Sequence, residues 1–182
     1  CFVIGVPLGV IASYNKWYRD IQNVVLDAMQ TLPYFCYLIP VLMFFGGNIV
    51  SAVIATVIYS VPPIIRLTAL GLSQVSGGYS EVSKSFGGTG IQTLNKVKFP
   101  LAVPSLVMGF NQTVIMAFAM QIVTPLIGGK GLGLQVFNAL QRSDTGRGLS
   151  AGLAIVLLAI IIDRITHAWT KKQRQALGLD QS

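Results

Sequence analysis

Glu81-Val82-Ser83-Lys84-Ser85-Phe86-Gly87, followed after nine residues by Val97-Lys98-Phe99-Pro100, is a polar, glycine-punctuated stretch set between long apolar runs. Such a stretch is out of place in hydrocarbon, where backbone and side-chain polar groups find no water. It belongs outside the bilayer, as an element that something else grips. The rest of the chain shows why the apolar runs on either side are membrane spans.

Hydrophobic residues make up 53% of the 182 positions and charged residues only 10%, with a mean hydropathy of +0.66. That is too few charges to cover the surface of a water-soluble domain of this size. Five apolar segments stand out: Cys1 to Ala12, Val24 to Phe45, Ile49 to about Leu72, Leu101 to Ile127, and Leu149 to about His167. Each is long enough for all or part of a crossing of about 30 Å. The first reads as the remains of a truncated span, since it has no basic flank or cleavage motif of a signal peptide. Long runs without alternation argue for helices rather than a β-barrel. The fold class expected is therefore all-α, with about five spanning helices over residues 1–168 and a basic tail over 169–182.

Positive charge orients the spans. If Ser13 to Asn23, Ser73 to Pro100 and the C-terminal tail share one side, that side carries ten cations: Lys16, Arg19, Arg66, Lys84, Lys96, Lys98, Arg164, Lys171, Lys172 and Arg174. The other keeps three, Lys130, Arg142 and Arg147, partly offset by Asp144. The Glu81 loop and the C-terminus are thus expected in the cytoplasm. Trp17, Tyr18 and Trp169 read as interfacial anchors on the same side. Net charge of +7 serves orientation; the cations are not interleaved with aromatics as in a nucleic-acid binder.

Gly46-Gly47-Asn48 reads as a tight external turn that makes the second and third spans antiparallel neighbours. Pro62-Pro63 removes two backbone donors. The chain is expected to leave the membrane there, with Ile64, Ile65, Leu67, Thr68, Leu70 and Leu72 forming an amphipathic surface helix stopped by Ser76-Gly77-Gly78. Tyr79 to Phe86 then forms about two helical turns. Ser80 caps it, Glu81 meets the positive end of its dipole, and Gly87-Gly88 closes it. At 100° per residue Tyr79, Val82 and Phe86 share one face, with Glu81, Lys84 and Ser85 opposite. A helix this short is not stable alone, so its apolar face needs a cover.

Glu81, Gly87 and Pro100 resemble, in identity and spacing, the loop signature of bacterial ABC importer permeases: Glu-Ala-Ala, three residues, Gly, nine residues, then Ile-x-Leu-Pro. Val82 and Ser83 replace the alanines, and Val97 and Phe99 replace the Ile and Leu. The resemblance extends to the glycine betaine and proline branch through Asp27 to Pro33, Pro62 to Thr68, Ser85-Phe86-Gly87, Asn111-Gln112-Thr113 and Ile161 to Arg164, covering about residues 24 to 168. It implies a type I ABC importer transmembrane domain. The coupling loop would be 73–100, with Tyr79, Glu81, Val82, Ser83, Phe86, Gly87 and Pro100 engaging an ATPase subunit. It also implies a second permease copy, as a homodimer, a periplasmic or lipid-anchored binding protein, and an inner-membrane location. The solute would be a small compatible one, such as glycine betaine, proline or choline. The alternatives are a permease of the same superfamily for another solute, such as an amino acid, or an ion-coupled secondary transporter.

Gly128-Gly129-Lys130-Gly131 lacks the Ser or Thr after Lys and the preceding strand of a Walker A loop. ATP and Mg are expected on a separate ATPase, and this chain is not expected to be an enzyme or to hold a cofactor. Thr124 to Gly133 reads as an external re-entrant turn. Lys130, Arg142, Asp144 and Arg147 could meet a docked binding protein or simply be solvated. Asn111, Gln112 and Gln121 could line the pathway or hydrogen-bond between helices. Asp27 sits at an inner boundary, and Asp163-Arg164 reads as an ion pair or a snorkelled pair. His167 has no carboxylate or second His at metal-ligand spacing, so no metal site is expected. Cys1 and Cys36 act as small hydrophobes rather than as a disulfide.

Overall fold

A computed structural model describes residues 1–75 and 77–176, without the side chains of Ser80, Lys84, Trp169, Thr170 and 172–176. The cap expected of Ser80, the face expected of Lys84, the anchoring expected of Trp169 and the tail cations Lys172 and Arg174 fall outside that description. Most of the described residues are helical, and none of them lies in a strand. The helices are α1 (Phe2–Tyr14), α2 (Lys16–Thr31), α3 (Phe35–Phe45), α4 (Ile49–Ser60), α5 (Pro62–Gln74), α6 (Gly77–Ser85), α7 (Gly90–Thr93), α8 (Phe99–Gln121), α9 (Leu132–Gln141) and α10 (Thr145–Ala176).

Three continuous helical stretches are long and apolar enough to cross a membrane: Ile49–Gln74, Gly90–Gln121 and Thr145–Ala168. A fourth crossing arises only if α2 and α3, bent by 94° to each other, form one broken span. The apolar α1 is shorter. The expected span from Val24 to Phe45 is thus not one helix. Pro33 supplies no amide proton and pushes Leu32 into extended backbone, with ψ of 130°, so the helix ends and restarts. The Tyr37 hydroxyl donates across the bend to the Met29 carbonyl. Residues 16–23, expected as loop, lie in α2, whose Trp17, Ile21, Val24 and Val25 are exposed along one side.

The Pro62-Pro63 expectation is also corrected. The two prolines occupy the first turn of α5, where missing amide protons cost least, and α4 and α5 run as one 26-residue helix. Far from lying on a surface, α5 packs between α1 and α8, and Ile64, Thr68 and Leu72 are fully buried. The helix ends at Gln74, and Gly77 and Gly78 belong to α6 instead of forming a stop.

Small residues make this packing close. A Cβ on Gly9 of α1 would fall 2.7 Å from the Ile65 carbonyl oxygen, and one on Gly71 of α5 would fall 2.5 Å from Ser105 Cβ. Gly5 approaches Ile64 in the same way. Lipid removes most of the hydrophobic drive between helices, so such close contact at small residues is what holds them. On the other side of the bundle α3 and α4 pack together as expected. Their turn is set by Asn48, whose Oδ1 accepts from Ser51 N at 3.0 Å while its Nδ2 donates to the Phe45 carbonyl at 2.7 Å.

Candidate functional site

The stretch from Gly77 to Pro100 folds as two helices and a widened turn that runs into α8. Gly87 has φ of +75°, a conformation that glycine adopts without strain, and Gly88 N–H donates to the Ser83 carbonyl at 2.9 Å. Together they make the C-terminal closure of α6 that a glycine pair favours. The chain restarts with a capping box. Thr89 Oγ1 accepts from Gln92 N at 3.4 Å, and Gln92 Oε1 accepts from Thr89 N at 2.9 Å.

Leu94–Lys98 is a π-helical turn. Pro100 explains it: a proline has no amide to donate and its ring crowds the preceding turn, so the ladder widens to i→i+5 just before it. Phe99 N–H bonds Leu94 O. The result is one 32-residue helical path from Gly90 to Gln121. Pro100 belongs to α8 and shapes this path; it is not on the surface that α6 presents.

That surface is apolar. Tyr79, Val82 and Phe86 are 55%, 56% and 89% exposed, on the face the helical projection gave. The adjacent Ser83 is half-buried, and its hydroxyl lies 2.8 Å from that of the buried Thr93. α6 therefore stands on the base of the long helix by its Ser83 side, with the knob turned outward. Glu81 departs from expectation. The helix begins at Gly77, so Glu81 lies beyond the first turn and is an exposed charge rather than a dipole partner.

The three polar residues of α8 do not converge. Asn111 is buried and donates from Nδ2 to Asp163 Oδ1 of α10 at 3.1 Å, which is the interhelical reading. Gln112 is exposed. Gln121 ends the helix beside α4, in a small cleft that also receives Lys130. Asp163 pairs with Asn111 and, at 3.4 Å, with His167 one turn away; no bond to Arg164 is found among the described residues. The i,i+4 carboxylate beside His167 was overlooked in the sequence. Among the described residues no group of three metal-ligating side chains occurs.

Lys130 is separated from the other three charges expected on the outer side. Arg142, Asp144 and Arg147 gather at the α9–α10 turn. There Asp144 Oδ1 accepts from Arg147 N at 3.1 Å, and the Arg147 side chain lies 3.4 Å from Asp144 Oδ2. Asp144 thus caps α10. Asp27 is bound to Arg66 at 2.5 Å, a pairing across α2 and α5 that no local pattern announced. Cys1 and Cys36 are both free.

Helices long and apolar enough to cross a membrane thus form an all-helical bundle, and a short helix holds its apolar face out from it. A family profile described as "Binding-protein-dependent transport system inner membrane component" matches residues 5–175, and the chain belongs to that family of ABC transporter permeases. It is similar to the glycine betaine/carnitine transport permease protein GbuB of Listeria monocytogenes serotype 1/2a, 45% identical over 172 residues, which cover 94% of this chain and 61% of the relative. It is likewise similar to the glycine betaine transport system permease protein OpuAB of Bacillus subtilis, 43% identical over 165 residues, covering 91% and 58%. The chain thus spans about three fifths of these relatives' length. Among solved structures, the inward-facing MetNI methionine ABC transporter matches with a TM-score of 0.78 at 23% identity, covering 92% of this chain and 86% of that one. The fold is that of a type I ABC importer transmembrane domain.

Proposed function

We propose that the chain is the translocation subunit of an ATP-driven importer for a small compatible solute of the glycine betaine, proline or choline type, and that α6 is the helix its ATPase grips. The exposed Tyr79, Val82 and Phe86, standing on the base of a continuous helix, carry this reading. A partner cleft covering that knob would shift α6, the Ser83 to Thr93 contact would pass the shift to the Gly90–Gln121 helix, and α8 would pass it to α5, α10 and α4, which it touches. A rigid helix of that length reaches about 48 Å, enough to carry motion from the cytoplasm to the outer surface. Ligands at both ends then bias one two-state element.

In this reading ATP and Mg bind the separate ATPase subunits, a second copy of this chain completes the pathway, and a periplasmic or lipid-anchored binding protein delivers the solute. The C-terminus and α6 face the cytoplasm of a bacterial inner membrane. The solute class is supported by these two relatives, which are named as a glycine betaine/carnitine and a glycine betaine permease. The test is the reconstituted complex: ATP hydrolysis should rise with glycine betaine-loaded binding protein and should lose that stimulation in Glu81→Lys, with membrane insertion kept. Undiminished coupled uptake in that variant would reduce α6 to a surface helix. Stimulation only by binding proteins loaded with unrelated amino acids would move the solute class.

A further inference from the structure

Lys130 and Gln121, which the sequence placed in separate roles, line one cleft of about 170 Å³ between α4 and the turn after α8. We propose that this cleft is a solute subsite in the translocation subunit, taking the carboxylate of a small zwitterion on Lys130 and Gln121 and its methylated end on α4. The proposal rests on the solute class proposed above and adds where and by which end the solute is read.

The polar groups there have different standing. Thr56 donates its hydroxyl to the Ala52 carbonyl at 2.8 Å, and Thr124 donates to the Gln121 carbonyl at 3.3 Å, so both are used internally. The Lys130 ammonium and the Gln121 amide have no partner among the described residues, and both side chains are exposed. No acidic residue lines the cleft. One cation and one amide donor left free are a match for an anionic oxygen pair. The opposite wall is Ala52, Val53 and Val57 of α4, which offers methyl groups contact without charge.

The backbone that carries Lys130 is set by its own turn. Gly129 N–H donates to the Thr124 carbonyl at 2.9 Å. A Cβ on Gly128 would fall 2.7 Å from Asn48 N, so that turn is seated on the α3–α4 connection. Lys130 is thereby held at the head of α4, away from the Arg142, Asp144 and Arg147 group. A cleft with two donors and no aromatic wall would hold the solute weakly, as a transit site requires.

The experiment uses the whole reconstituted transporter with its ATPase and binding protein, measuring uptake of glycine betaine against binding-protein concentration. Lys130→Gln should cut uptake at saturating binding protein about tenfold and change the half-saturating concentration less than twofold, while Lys130→Arg keeps most of the rate. Gln121→Leu should lower the rate in the same direction. Unchanged saturating uptake in Lys130→Gln overturns the subsite. A loss confined to the half-saturating concentration also overturns it and makes Lys130 a binding-protein contact. Absent glycine betaine uptake in the unaltered transporter overturns instead the solute class on which the subsite rests.

Discussion

The Ser83 hydroxyl lies 2.8 Å from the Thr93 hydroxyl, and this contact joins the short helix α6 to the foot of the 32-residue path from Gly90 to Gln121. Thr93 is buried and also donates to the Thr89 carbonyl at 3.1 Å, so the joint is anchored inside the capping box that starts that path. Whatever moves α6 is thereby connected to α8 by a polar clasp rather than by loose chain.

Ser83→Ala removes one partner of this clasp and leaves Thr93 bound to Thr89. The loss is worth about 1 kcal/mol, roughly a fivefold rise in local opening. Amide hydrogen exchange at Phe86 and Gly88 in the reconstituted complex should quicken by about that factor, with little change in α5.

The closing glycines should separate. Gly87→Ala meets no neighbour within 4 Å and carries only the left-handed backbone penalty of about 1–2 kcal/mol. Gly88→Ala would set its Cβ 2.8 Å from the Ser83 carbonyl oxygen, displacing the acceptor of its own amide. Substrate-stimulated ATP hydrolysis should fall further in Gly88→Ala than in Gly87→Ala.

Much of α6 could be read in the chain itself, because its glycine closure and its apolar face are local. The failures are non-local. Pro62-Pro63 looks like an exit, yet burial of Ile64, Thr68 and Leu72 depends on α1 and α8 closing on both sides. Gly5 and Gly9, four residues apart, carried the signal of that closure and went unread. Pro33 signalled a break, but a 94° bend is set by what α3 packs against. Asp163 reads as an ion pair or a snorkelled pair with its neighbour Arg164, whereas it accepts from Asn111, 52 positions away. Lys130 and Gln121 are near in sequence, but only the packing of the turn on α4 brings them to one cleft.

Gly9→Val tests the α1–α5 contact. The branched side chain would enter space held by the Ile65 carbonyl and Thr68, and overpacking of this kind costs about 1–3 kcal/mol. The purified complex should lose thermal stability, while Gly152→Val, in open space on α10, should not.

Asp163→Ala should destabilise the α8–α10 pair by about 1 kcal/mol, the scale of interhelical hydrogen bonds in membranes. Asp163→Asn retains an oxygen acceptor for Asn111 and should recover most of that loss. Detergent-induced unfolding of the two variants side by side measures the difference.

The most direct test of α6 as the point where force enters is Phe86→Asp, which places a charge on the most exposed apolar residue of the knob without touching Ser83, Thr93 or the glycine closure. Co-purification of the ATPase with the membrane-inserted variant should drop at least tenfold, and solute-stimulated ATP hydrolysis should vanish with it. Recovery of ATPase and coupled uptake at the unaltered level would contradict the account.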